Sequence, residues 1–222
     1  MPTRGADQYG QGCLVSRLDF PPQVSYGASM AVHAGRHQLG PEHGRIILHT
    51  TREGVASTAG HDLDLEVRRW SGELTVNDDL SPAGLDVQIE MGSLAVLQGS
   101  GGLKPLTDRD RREIVVTARK VLGSDRHPQA SFTAEDFKLD GDGGGVITGT
   151  LTLAGKTGPL RLQVRPTGPG RYYATGEVVQ TAFGITPYRG FLGALKVRDA
   201  VGVDVDVDLS EPDAAGGAGA QP

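Results

Sequence analysis

From Arg45 onward, apolar and polar positions alternate with a period of two, the spacing of half-buried strands and not of helices. Leu63, Leu65 and Val67 stand opposite Asp62, Asp64 and Glu66, and Leu85, Val87, Ile89 and Met91 stand opposite Asp86, Gln88 and Glu90. Near the end, Val201, Val203, Val205, Val207 and Leu209 share one face while Asp204, Asp206 and Asp208 share the other. One side of each strand is therefore expected to be buried and the other wet, with the acidic row solvated. In the second strand Leu74 and Val76 occupy even positions, so its register must slip once near Trp70-Ser71-Gly72. Such a β-bulge bends a strand and favours a curved, closed sheet.

The stretch Gly145–Val164 reads as a hairpin. Ile147, Leu151 and Leu153 alternate with threonines, Gly155-Lys156-Thr157-Gly158 forms the turn, and Leu160, Leu162 and Val164 resume the pattern. Further strands are expected over RIILHTT from Arg45, over Gln129–Leu139 with Phe132, and over Arg171–Ala182, making eight. One helix is expected. Thr107 can cap it, Asp108 and Asp110 sit at its positive end, Arg119 and Lys120 at its negative end, and Gly123 stops it. Ile114, Ala118, Val121 and Leu122 form its apolar stripe, suited to covering an open end or side of the sheet.

The segment GTLTLAGKTGPLRL resembles a signature of the YceI-like, polyisoprenoid-binding, lipocalin-like proteins, through Gly149, Leu151, Thr152, Gly155, Thr157, Pro159 and Leu162. Two other segments resemble the same family in the same order: Asp108 to Phe132, where the helix runs into HPQASF, and Phe183-Gly184-Ile185 before the last valine-rich strand. The resemblance spans about residues 45 to 209. It implies a barrel that binds a long isoprenoid chain, such as a quinone tail or polyprenyl lipid.

Pattern and resemblance together give an all-β fold: an eight-stranded antiparallel up-and-down lipocalin-like barrel with one amphipathic helix, occupying residues 41–210. Residues 1–40 read as a disordered or edge-covering arm, and 211–222 as a disordered tail. His33, His37 and His43 fall in or beside the arm without a nearby cysteine or carboxylate pair, so a metal is not expected.

A net charge of -5 and the lack of a long Lys/Arg run exclude nucleic acid as a general partner. Cys13 is the single cysteine, so no internal disulfide can form. Charges at Arg4, Asp7, Arg17 and Asp19 interrupt the first thirty residues, so neither a secretory leader nor a membrane span is expected there, and a cytoplasmic location is expected. The Gly99-Ser100-Gly101-Gly102 run lacks the Gly-Lys-hydroxyl ending of a phosphate-cradling loop.

With only 11 Phe, Trp and Tyr residues in the chain, a barrel of this size has difficulty filling its own interior, so an elongated apolar cavity is expected. Its lining should come from Leu63, Leu65, Val67, Leu85, Val87, Ile89, Phe132, Ile147, Leu151, Leu153, Leu160, Leu162, Val201, Val203 and Val205. His49 and His61 could meet a polar head group at the mouth, or be ordinary strand-end histidines. The fifteen residues FGITPYRGFLGALKV carry Phe183, Tyr188, Arg189 and Phe191 and are long for a connection. They form either a lid over one barrel end or a fixed plug.

The expected function is non-catalytic binding of a long-chain isoprenoid or similar apolar lipid, with no cofactor other than that lipid. Ser57, His61 and Asp62 lack the turn that exposes a nucleophile, and neighbouring His61 and Asp62 would point to opposite faces of a strand. The alternative is a scaffold barrel with a filled interior that acts through protein contacts. Association of two barrels into a homodimer stays open.

Overall fold

The computed structural model describes residues 32–141 and 143–210. Fourteen strands appear among them: β1 (Gly35–Leu39), β2 (Gly44–Thr50), β3 (Arg52–Glu53), β4 (Asp62–Val67), β5 (Trp70–Val76), β6 (Pro82–Glu90), β7 (Leu94–Ser100), β8 (Gln129–Leu139), β9 (Gly145–Leu153), β10 (Lys156–Gly168), β11 (Arg171–Val179), β12 (Arg189–Gly190), β13 (Leu195–Val197) and β14 (Ala200–Asp208). A helix, α1 (Asp108–Leu122), separates β7 from β8.

Eleven strands make one antiparallel sheet in the order β1-β5-β6-β8-β9-β10-β11-β14-β2-β4-β7. The two ends of that order are joined by the chain itself. β4 runs across Arg68 and Arg69 into β5, and β6 runs across Met91–Ser93 into β7, so one bent hairpin carries pairs from both ends of the sheet. The sheet curls accordingly, and its inner faces enclose the core.

The strand number corrects the expected eight. The second path breaks in two at Arg68–Arg69, β1 forms within the expected arm, and β7 forms over a stretch to which the sequence reading assigns no strand. β1 pairs with β5 from Gly35 to Leu39, and Leu39 is buried, so the domain reaches back beyond residue 41. The rest of the arm, residues 1–31, and the tail lie outside the described residues. The slip in the second path falls two residues earlier than expected: Leu65, Val67 and Trp70 are all buried, so Arg68 and Arg69 absorb the change of parity.

The signature hairpin also turns earlier than expected. Ala154 (φ 51°) and Gly155 (φ 75°) make a two-residue turn, and Leu153 pairs with Lys156. Gly158 is thereby a strand residue. A Cβ on it would lie 3.1 Å from the Phe183 ring, so this glycine gives the ring its seat.

Register places several element ends together. Thr50 pairs with Leu63, Asp62 with Ser100, His49 with Gly202, and Val179 with Ala200. The loops after β2, β7 and β11 therefore emerge at one end of the sheet, along with the β9–β10 turn. At that end β12, β13 and β3 form a separate three-stranded sheet. Helix α1 starts there as well. Thr107 and Asp110 exchange hydrogen bonds in a capping box, Gly123 closes the helix in the left-handed region, and the Arg111 guanidinium donates to the carbonyls of Val96 (3.1 Å) and Leu97 (2.9 Å). Among the described residues β7 pairs only with β4, and these bonds tie the helix to this edge strand.

Candidate functional site

The curled sheet, α1 and the small sheet enclose a cavity of about 630 Å³. Most of its wall comes from inward aliphatic and aromatic positions of the alternating strands. Leu63, Leu65, Val67, Leu85, Val87, Ile89, Phe132, Leu151, Leu153, Leu160, Leu162, Val201, Val203 and Val205 all line it. Ile147 does not: it is the third residue of β9, near the opposite end of the sheet, and packs against the core beyond the cavity.

The helix stripe expected to cover the sheet also faces this space. Ile114, Ala118, Val121 and Leu122 are lining residues, and Trp70 and Met91 join them from the bends. Trp70 was legible only once the register slip is placed before it, because it then falls on the inner face with Leu74 and Val76.

Polar lining groups gather at the covered end. They are Thr50 and Arg52 from the β2–β3 segment, His61 before β4, Asp110, Glu113 and Thr117 on α1, Gln180 after β11, and Tyr188 and Lys196 on the segment before β14. Most are already occupied. Arg52 donates to the carbonyls of Gly60 (2.7 Å) and Ser100 (3.0 Å), His61 Nε2 bonds the Lys104 carbonyl (2.8 Å), and Gln180 Nε2 donates to the Arg198 carbonyl (3.0 Å). Glu113 accepts from Arg109 (2.8 Å). The Thr107 hydroxyl and amide hold the Asp110 carboxylate below the usual range. Among the described residues Lys196 has no ion-pair partner.

The mouth and lid residues divide. His61 and Tyr188 line the cavity, whereas His49 and Arg189 do not. His49 faces outward from β2 and lies between Asp64 (2.8 Å) and Asp204 (2.9 Å). RIILHTT has three consecutive apolar residues, so its inner parity is ambiguous by sequence; Ile46 and Leu48 take the inner face and turn His49 outward. The acidic row is correspondingly less free than expected. Asp204 also accepts from Thr175 (3.1 Å), and Asp208 from Arg171 (2.9 Å). Arg189 is exposed on β12. Phe183 is 4% exposed and belongs to the core, anchoring the start of the covering segment beside Ile185. The side chain of Phe191 lies outside the described residues.

Ser57, His61 and Asp62 do not form a relay: His61 bonds Lys104, and Asp62 accepts from the Arg52 amide (2.7 Å). No group of three His, Cys, Asp or Glu side chains among the described residues could hold a metal ion. No described helix is long and apolar enough to cross a membrane.

A UPF0312 protein of Shewanella sp. (strain MR-4) is 25% identical to this chain over 167 residues, covering 72% of the chain and 80% of that protein. A UPF0312 protein of Pectobacterium atrosepticum is 39% identical over 64 residues, 29% of this chain; the match spans 33% of that relative's length. The crystal structure of the Campylobacter jejuni YCEI protein superposes with a TM-score of 0.50 at 18% identity, over 67% of this chain and 85% of that one, a likeness of fold. The model of the YceI-like domain matches residues 38–209, which hold the whole of the curled sheet from Leu39 onward, the helix and the covering segment, and the chain therefore belongs to the YceI-like family.

Proposed function

We propose that this chain holds a long-chain isoprenoid, such as a quinone tail or polyprenyl lipid, in the cavity and performs no catalysis on it. The observation that carries this reading is the segregation of the lining: aliphatic walls along the barrel, polar groups only at the covered end. A molecule with a long apolar tail and one polar head fits that distribution. The volume of about 630 Å³ falls within the usual range of ligand sites. For a tail of roughly 30 heavy atoms, about 0.3 kcal/mol per atom gives about 9 kcal/mol, enough for sub-micromolar binding.

The experiment is extraction of the purified protein with organic solvent and mass spectrometry of the extract, followed by titration of the stripped protein with a quinone and a polyprenol. The chain's single tryptophan, Trp70, lines the cavity, so its fluorescence reports entry directly. An extract without lipid, together with no fluorescence change on titration, sinks the reading and leaves the scaffold barrel in its place.

A further inference from the structure

The most exposed large aliphatic side chains of the described residues are Leu192 (109%), Val55 (96%) and Leu103 (79%). They lie on three different segments, and all three belong to the covered end. Val55 sits between Gly54 and Ala56, and the Ala56 amide donates to the carbonyl of Ala194, two residues after Leu192. Leu103 precedes Lys104, whose carbonyl binds His61 at the cavity mouth. Leu192 is held outward in the left-handed region (φ 55°), a conformation an L-leucine rarely adopts. Scattered exposed leucines are ordinary, but a set presented by separate loop tips around one opening offers apolar contact to a partner.

Charge identifies the partner. The connection from Ile185 to Asp199 contains Arg189, Lys196 and Arg198 against one acid, Asp199, within a chain of net charge -5. The small sheet beneath them carries one acid, Glu53, against Arg52, Arg189 and Lys196. Aliphatic tips beside Arg189, Lys196 and Arg198 match an anionic bilayer surface, where the tips enter the interfacial region and the cations meet lipid phosphates, while Asp110 and Glu113 at the same end are held by Thr107 and Arg109. We infer that the covered end of the barrel docks on anionic membranes, presenting the cavity mouth to the bilayer. This surface is separate from the cargo: docking needs no lipid inside the barrel.

The test is sedimentation of the full chain with phosphatidylcholine vesicles, with and without phosphatidylglycerol. Binding to the anionic vesicles, weakened by salt and much poorer on the neutral ones, is expected. Leu192→Asp should weaken it by about tenfold or more. Arg189→Gln with Arg198→Gln should weaken it by about fivefold for each charge removed. Leu80→Asp, on the β5–β6 turn at the opposite end, should leave it unchanged. All these positions are exposed, so the fold tolerates the changes, and the lipid extracted from Leu192→Asp should match that of the parent. Absence of binding to anionic vesicles, or binding that Leu192→Asp leaves intact, overturns the proposal whatever the cavity holds.

Discussion

His49 on β2 meets Asp204 on β14 at 2.9 Å through Nε2, while its Nδ1 lies 2.8 Å from Asp64 on β4. An imidazole facing a carboxylate on each side needs a proton on both nitrogens, so the arrangement selects the cation. Partial burial pushes the His49 pKa down, but the hydrogen bonds and charges of Asp64 and Asp204 outweigh it, and the net shift is upward. One side chain thus ties three adjacent strands on the outer wall.

The pH dependence follows from that sign. A histidine whose folded pKa is raised contributes stability that is fully present below its unfolded value near 6.5 and is lost as pH rises through the folded value. Thermal melts of the parent and His49→Gln should differ most in mildly acidic solution and converge at alkaline pH. A gap that widens with rising pH would contradict the cationic clamp.

Gly149 on β9 carries a packing prediction. A Cβ there would lie 2.4 Å from the Thr133 carbonyl oxygen and 2.7 Å from the Phe132 ring. The carbonyl belongs to the paired strand and cannot step aside, so Gly149→Ala should cost about 1–3 kcal/mol in urea unfolding. An unchanged midpoint would mean that the sheet yields locally.

Filling the cavity should displace its guest. Val203 lines the space from β14, and Val203→Trp places a large ring in it with room to be accommodated. Uptake of a quinone or polyprenol should fall sharply while circular dichroism stays strand-dominated. Normal uptake by a folded variant would move the ligand elsewhere.

Helix α1 closes part of the cavity wall, and its first turn depends on the reciprocal bonds of Thr107 and Asp110. Thr107→Ala should destabilise that turn by about 1 kcal/mol and speed amide exchange at the start of the helix. Protection equal to the parent's would show that tertiary packing, not the cap, holds the helix.

The covering segment combines a fixed end with a free tip. Phe183 and Ile185 are buried, as the plug reading requires, whereas Leu192 is fully exposed and the rest is tied down by the short pairing of β12, β13 and β3 and by the Ala56 amide on the Ala194 carbonyl. Hydrogen exchange should be slow at residues 183–185 in all states and slowed at 188–197 by added quinone or polyprenol. Equal exchange at 188–197 with and without ligand would leave the whole segment a plug.

Strict alternation made most of the inner wall readable: Leu85, Val87 and Ile89 cannot turn inward without Asp86 and Gln88 turning out. The reading failed where that constraint lapses. Ile46-Ile47-Leu48 offers two parities, and only the pairing of β2 with β4 and β14 decides between them, which is why the sequence leaves His49 open between a head-group contact at the mouth and an ordinary strand-end histidine. Arg52 and Lys196 had no legible signal, since both owe their position to a sheet of two- and three-residue strands far too short for periodicity. The glycines of the signature were visible as a turn, but Gly158 serves the distant Phe183 ring, a contact made by tertiary packing alone.

The seam between β2 and β14 joins partners about 155 residues apart, as His49 and Asp204 are. During synthesis every other strand of the sheet exists before β14 does, so the apolar wall stays open until β14, the final strand, is available. Local hairpins such as β9–β10 can form early, but closure must wait for the most distant pairing and is intrinsically slow. A nascent chain held in that open state exposes both unpaired edges and a broad apolar surface, the conditions for aggregation or chaperone capture. The wall that suits the barrel to an apolar guest is thus also what makes its last folding step hazardous.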